Sequence, residues 1–334
     1  MVASGHAGQD RATTLISQRA IEAIEYSDTD ELIRVIDGYC ESGAWDELVV
    51  LRQRCAEAVT RGKQVWGVEE HIRYRLALEA PPAYAGPVVS EGPLRFGLGP
   101  LPEVAASTKT WASMEPFLAI GPERTTFASE RVIRGESGVM DLPDLPNQLM
   151  PWEKHYPLAV YKADKVETPS PKTPSVEDAE LPTHARRISD PQSEEALADL
   201  VAPWLEQSNG HYDIVTVEDG PASAIRALGL SRARLGQIDA SQAFAWMLWA
   251  GASGGAHGQR RGAAAGRFSA WWLVASLCDL DWPPGPEAMS AAVERLHWFW
   301  FDDGSPGTGW QLRLTIHDPS TDLSWAISAI DQAD

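Results

Sequence analysis

Three cysteines in 334 residues, Cys40, Cys55 and Cys278, are too few and too far apart for a disulfide framework. No Cys-x-x-Cys occurs and no two histidines stand at metal-ligand spacing, so a zinc site is not expected. Cys40 and Cys55 fall on apolar helical faces and read as buried free thiols. Positive charge is scarce as well: 28 Lys and Arg face 47 Asp and Glu, a net charge of −19. That balance argues against broad attraction to nucleic acid or anionic lipid. No apolar run approaches the roughly 18 residues a membrane-spanning helix needs, and no basic-then-apolar leader opens the chain. The expectation is a cytoplasmic protein with neither a membrane nor a nucleic acid as partner.

Catalytic templates are lacking too. There is no Gly-x-Ser-x-Gly elbow and no His-Glu-x-x-His pair, and no Gly-Lys-Ser/Thr follows a glycine-rich loop. Glu70-His71 reads as a solvent-facing pair. Asp302-Asp303 and Asp279/Asp281 flank Gly or Pro turns and read as turn residues. Ser253 has His257 nearby but no acid marked out as the orienting third member. No cofactor signature is present.

What the chain does have is tryptophan: 14 in all, ten of them from Trp204 onward, which places the bulkiest core in the C-terminal region. Residues 1 to 12 are polar and expected to fray. From Thr13 to Leu78 the pattern is helical. Leu32, Val35, Ile36 and Tyr39 share one face behind an Asp28-x-x-Glu31 capping box, and Leu48, Leu51, Cys55 and Val59 repeat the logic. A third helix stops at Pro81-Pro82. Residues 83 to 110 read as mostly irregular, and a further helix starts near Pro122. Nine prolines between Asp141 and Pro191 mark a strap. Its aromatic island "PWEKHYPLAVYK" is expected to pin it to a domain surface, with Trp152 and Tyr156 as alternative partner-binding residues.

Beyond the strap, "HYDIVTVEDG" reads as a strand, followed by helices near 221–229, 238–251 and 260–278. "LHWFWFDDG" is expected as a doubly covered strand and "WQLRLTIHD" as a half-wet one, with "LSWAISAID" closing a meander. The expected architecture is α+β: an N-terminal α-helical hairpin domain over 1–135, a Pro-rich strap over 136–200, and a Trp-rich domain over 201–334. The last should hold an antiparallel sheet with helices packed on one face.

Charge is uneven along this C-terminal region. Six arginines against one acid lie between Pro221 and Cys278, a local charge of +5, and ten acids against two arginines follow. "GGAHGQRRGAAAGRF" concentrates the feature. A helix starting near Gln259 would put Arg260 and Arg267 on one face, and the preceding glycines could expose backbone N–H groups. Gly254, Gly255, His257, Gly258, Arg260, Arg261 and Arg267 are therefore candidate ligands of a small phosphate or carboxylate. The competing reading is structural. The Gly262-x-x-x-Gly266 spacing lets a neighbouring element approach closely, and the arginines would pair with acids such as Asp302 and Asp303.

"GGAHGQRRGAAAGRFSAWW", together with "GPLPEVAASTKTW" and "IRYRLALEAPP", resembles an uncharacterised family of actinobacterial proteins, a domain of unknown function. The resemblance implies a soluble intracellular bacterial protein and carries no reaction or catalytic residue. With no complete catalytic constellation, the favoured function is non-catalytic binding or assembly with a protein partner or a second copy of the chain. The alternative is an enzyme acting on a phosphorylated or carboxylated small molecule, with His257 as acid/base and the arginines as clamp.

Overall fold

A computed structural model describes residues 16–95, 97–305 and 307–332; the expected frayed segment 1–12 and the Thr13 helix start lie outside them. The chain divides into two compact units, Met1–Phe127 with Val160–Val166, and Ala128–Ala159 with Glu167–Asp334. Among the described residues, no helix is long and apolar enough to cross a membrane.

The first unit is helical. Its elements are α1 (Gln18–Tyr26), α2 (Thr29–Ser42), α3 (Trp45–Thr60), α4 (Trp66–Glu79), α5 (Pro82–Val89), α6 (Leu101–Ala106) and α7 (Trp111–Met114), and α8 (Pro122–Ile133) begins in it. The expected faces are the buried ones: Leu32, Val35 and Ile36 on α2, and Leu48, Leu51 and Cys55 on α3. Asp28 caps α2 by accepting from the Glu31 N–H at 3.0 Å. The Glu31 carboxylate turns to Arg19 and Arg34 instead of returning to the cap.

The segment expected to be irregular after Pro82 forms α5 and α6. Pro82 and Pro102 stand at helix first turns, where the missing N–H costs nothing, and Pro87 lies inside the short α5. His71 is not solvent-facing either. It is half-buried against Tyr74, with ring centroids 6.1 Å apart, and burial, then the Arg75 charge, lowers its pKa. Both Cys40 and Cys55 are buried free thiols whose pKa burial pushes up to about 12. A short ribbon, β1 (Val160–Tyr161) with β2 (Val166–Glu167), includes Tyr161, whose hydroxyl donates to the buried Glu103 at 2.6 Å.

The second unit holds a seven-stranded, fully antiparallel sheet. In chain order its elements are β3 (Glu177–Ala179), β4 (Arg187–Ile188), α9 (Pro191–Asp199), α10 (Ala202–Glu206), β5 (His211–Glu218), α11 (Pro221–Ala227), β6 (Ala233–Ile238), α12 (Ala240–Ala252), α13 (Ala263–Leu277), α14 (Pro286–Arg295), β7 (His297–Asp302), β8 (Trp310–Asp318) and β9 (Leu323–Asp331). The strand order is β3-β6-β7-β8-β9-β5-β4. One face carries Trp298, Trp300, Leu312, Leu314, Ile316, Trp325 and Ile327 against α9, α12, α13 and α14, a single core built largely of indole rings.

Three features depart from the expectation. Strand β6 lies in "ARLGQI", where an arginine and a glycine obscure the alternation. Gly236 is required there because a Cβ would overlap the Ser175 carbonyl of the strap. The short helix α11 packs on the opposite face, against Val215, Val217 and Ala326. Thr315 and Arg313 of β8 are buried as well, Arg313 against Asp302, Asp303 and Ser305, so β8 is not half-wet. The strap itself supplies both edge strands, β3 on β6 and β4 on β5. Between them Thr183 accepts from Arg226 at 3.3 Å, and Arg187 donates to Ala227 O at 3.0 Å across α11. Edge strands this short, flanked by prolines, leave little unpaired backbone to invite association.

Candidate functional site

Helix α12 ends at Ala252, and the chain turns back through residues 253–262 before α13 begins. The glycines of this loop serve crowding. A Cβ on Gly254 would overlap Gly258 O and one on Gly258 would overlap Gly254 O, so the loop folds onto itself backbone to backbone. Gly255, at φ +72°, occupies the left-handed region with the Asp331 carboxylate against it.

The N–H groups that could cradle an anion meet the chain's own oxygens. Ala256 donates to Asp331 Oδ2 at 2.6 Å, His257 to Ser208 Oγ at 3.1 Å, and Gln259 to Gln207 Oε1 at 2.9 Å. Arg261 and Gly262 donate to Ala252 O at 2.9 and 3.2 Å. At the start of α13, Ala264 N–H is accepted at 2.6 Å by the fully buried Glu130, a carboxylate that α8 places where the helix dipole favours negative charge.

The arginines part company. Because α13 starts at Ala263, Arg260 lies before the helix and shares no helical face with Arg267. Arg260 is half-buried, and the His257 side chain is exposed. Arg267 is wholly buried and so is its partner, which is Glu153 of the strap rather than Asp302 or Asp303. The pairing is bidentate: Nε to Oε1 at 2.7 Å and Nη2 to Oε2 at 3.0 Å. The rest of the guanidinium donates to Pro146 O and Gln148 O at 3.0 and 3.1 Å.

Glu153 also accepts from Trp271 Nε1 at 2.9 Å, Met150 N–H at 2.8 Å and the Tyr156 hydroxyl at 2.8 Å. Burial alone would raise its pKa, but the Arg267 bond and charge, with the Met150 and Trp271 N–H groups, outweigh it and hold the carboxyl below its usual range. Burial beside this carboxylate drives the Tyr156 phenol well above its ordinary value. Trp152 is 8 % exposed and packs on Phe244 and Trp271. The aromatic island thus pins the strap to the second unit, as its composition predicts. Asp302 and Asp303, for their part, meet Arg313 and Arg234.

Arg261 alone of the candidate residues lines the open cavity beside this loop, a groove of about 620 Å³. Its guanidinium donates to Asp199 O at 2.9 Å and faces the Asp199 carboxylate at 3.6 Å. Three helices build the groove by helical spacing. Helix α9 contributes Glu195, Ala198 and Asp199, α10 contributes Ala202, Leu205 and Glu206, and α13 contributes Phe268 and Trp272. Tyr212 at the start of β5 completes it.

Phe268 is the exposed residue in a run of buried ones, 37 % exposed between Arg267 and Ser269, and Leu205 and Tyr212 are exposed to 38 % and 36 %. Trp282 holds the rim edge-on, 5.1 Å from Phe268 and 5.2 Å from Trp272. Glu195 and Glu206 form no ion pair among the described residues. Arg261 and Asp199 offset each other, so the groove is apolar at its floor and net acidic. Sequence reasoning missed this site because Phe268 sits within an apolar run and reads as core. The signal available was the i, i+4 placement of Phe268 and Trp272 opposite an acidic stripe.

No curated protein and no solved structure shows a significant match to the chain. Residues 30–316 do match a family of unknown function (DUF6183), and the chain belongs to that family.

Proposed function

We propose that this protein is a non-catalytic binding or assembly component whose second unit holds a basic, partly apolar segment of a protein partner in the groove between α9, α10 and α13. The observation that carries the reading is the convergence of Leu205, Tyr212 and Phe268, all exposed, with two carboxylates that have no cation of their own. Apolar anchors in a concave surface supply affinity, and the uncompensated acids select lysine or arginine beside them and speed encounter in a chain of charge −19. Loop 253–262 supports the groove by fixing Arg261 against Asp199.

Fluorescence anisotropy with short labelled peptides that place lysine next to leucine or phenylalanine tests the proposal. Peptides of this class bind and compete with one another, and Phe268→Asp weakens binding at least about tenfold, the loss typical of a central anchor. Binding that is indifferent to Phe268→Asp overturns the reading. Inorganic phosphate that binds, and is lost in Arg261→Gln, would replace it with an anion site.

A further inference from the structure

The sheet face opposite the indole core carries a pair of histidines. His297 opens β7, His317 lies near the end of β8, and the antiparallel register sets them directly across from each other. Their neighbours Trp298 and Ile316 point into the core, so both imidazoles project from the other face. Side chains placed this way have Cβ atoms about 4.5–5.5 Å apart, and the two ring centroids stand 6.2 Å apart with planes at 56°. Spacing along the sequence gives no sign of the pair; only the strand register makes it.

The surroundings of His317 fix its tautomer. Nδ1 lies 3.1 Å from Leu323 O and 2.9 Å from Ser324 Oγ. A carbonyl can only accept, and the Ser324 hydroxyl donates its hydrogen to Asp219 O at 2.6 Å. Both neighbours of Nδ1 are therefore acceptors, so the ring proton sits on Nδ1 and the Nε2 lone pair is free. Nε2 is open to solvent and has no hydrogen-bond partner among the described residues, and His297 is exposed. Metal-binding histidines have this arrangement: one nitrogen donates to a backbone carbonyl, which orients the ring, and the other is left for the ion.

The charges beside the pair suit a cation. The Asp219 carboxyl is held below its usual range by the Ser223 hydroxyl and the Gly220 N–H, and further by the charged form of His317. Arg295 is engaged at 3.1 Å by Asp318, whose side chain alternates to the other face of β8. We propose that His297 and His317 together bind a divalent transition-metal ion of the zinc, nickel and copper class, for which imidazole is a preferred ligand. A zinc–nitrogen bond of about 2.0–2.1 Å is within reach of both rings once the exposed His297 turns toward Nε2 of His317. The set is two imidazoles rather than a closed cage, since no group of three or more His, Cys, Asp or Glu is placed to hold a metal among the described residues. Water fills the remaining positions, and the ion exchanges with solution.

Isothermal titration of the tag-free full chain with zinc chloride tests this, in excess magnesium so that surface carboxylates are already occupied. Magnesium prefers oxygen ligands and does not compete. One zinc binds, and nickel and copper displace it from the same site. His297→Gln and His317→Gln each lower zinc affinity at least about tenfold, no less than the loss of an outer-shell partner costs. His184→Gln, at an exposed histidine of the strap, leaves it unchanged. His297→Gln, at an exposed position, keeps the melting temperature of the metal-free protein and decides alone if His317→Gln lowers it. Absence of zinc binding by the wild type overturns the proposal. So does binding that survives His297→Gln, that depends on His184, or that magnesium displaces.

Discussion

Arg267 and Glu153 are both removed from water, and such a pair persists only where each charge finds several partners. Here each does, because two backbone carbonyls complete the guanidinium while Tyr156, Trp271 and Met150 complete the carboxylate. Glu153→Gln leaves a buried guanidinium uncompensated and is expected to cost about 3–5 kcal/mol in denaturant unfolding. A Glu153→Gln/Arg267→Met double variant regains much of that stability, because no buried charge is then left uncompensated and the amide oxygen can still accept from Trp271 and Tyr156. The pH dependence has a definite sign. The folded pKa of Glu153 lies below its unfolded value of roughly 4.3, so its stabilisation is complete above that value. It disappears as pH falls through the depressed folded pKa. Acid titration of stability in Glu153→Gln should lose this component. The arginine of this pair was conspicuous in the sequence, but its acid was not. Glu153 lies more than a hundred residues away in a proline-rich strap, and only the folded chain brings the two together.

Helices α12 and α13 pack closely against each other, and glycine allows it. A Cβ on Gly251 would stand 3.0 Å from Gly266 Cα, and one on Gly266 would overlap Leu248 O and stand 2.9 Å from Ala252 N. Those obstacles are backbone and cannot rotate away. Gly266→Ala should therefore destabilise by about 1–3 kcal/mol or more, the range of overpacked cores, despite alanine's better helix propensity. Thermal denaturation checks it, with Gly285→Ala, which meets nothing within 4 Å, as control. At this scale much was legible in the sequence. Periodicity located α2, α3 and α4 of the first unit and β5, α11, α12, α13, β7, β8 and β9 of the second, but not α9, α10, α14, β3 or β4, and the Gly262-x-x-x-Gly266 spacing marked the close approach at Gly266. The misses have physical causes. Prolines at helix starts look like breaks before α5 and α6, and β6 alternates too weakly to show with an arginine and a glycine inside it. Nor does local sequence show which face of a sheet a seven-residue helix such as α11 will cover.

At the scale of the whole chain, charge that looks segregated in sequence is largely reconciled in space. Three of the six arginines of the basic stretch, Arg261, Arg267 and Arg234, pair with Asp199, Glu153 and Asp302, and Arg226 donates to the Thr183 and Leu230 carbonyls. What remains uncompensated in the second unit's groove is acidic, at Glu195 and Glu206, beside exposed aromatic and aliphatic side chains. A negatively charged protein binds basic peptides weakly anywhere on its surface, so affinity alone does not locate the contact. Reversing the charge does. In the most direct measurement, Glu195→Lys/Glu206→Lys is titrated with a lysine–leucine peptide and with its glutamate–leucine counterpart at moderate salt. The account predicts that the double variant loses the first peptide and gains the second, with Phe268→Asp abolishing both. If the lysine peptide still binds the variant as it binds the wild type, the groove is not where this protein meets its partner.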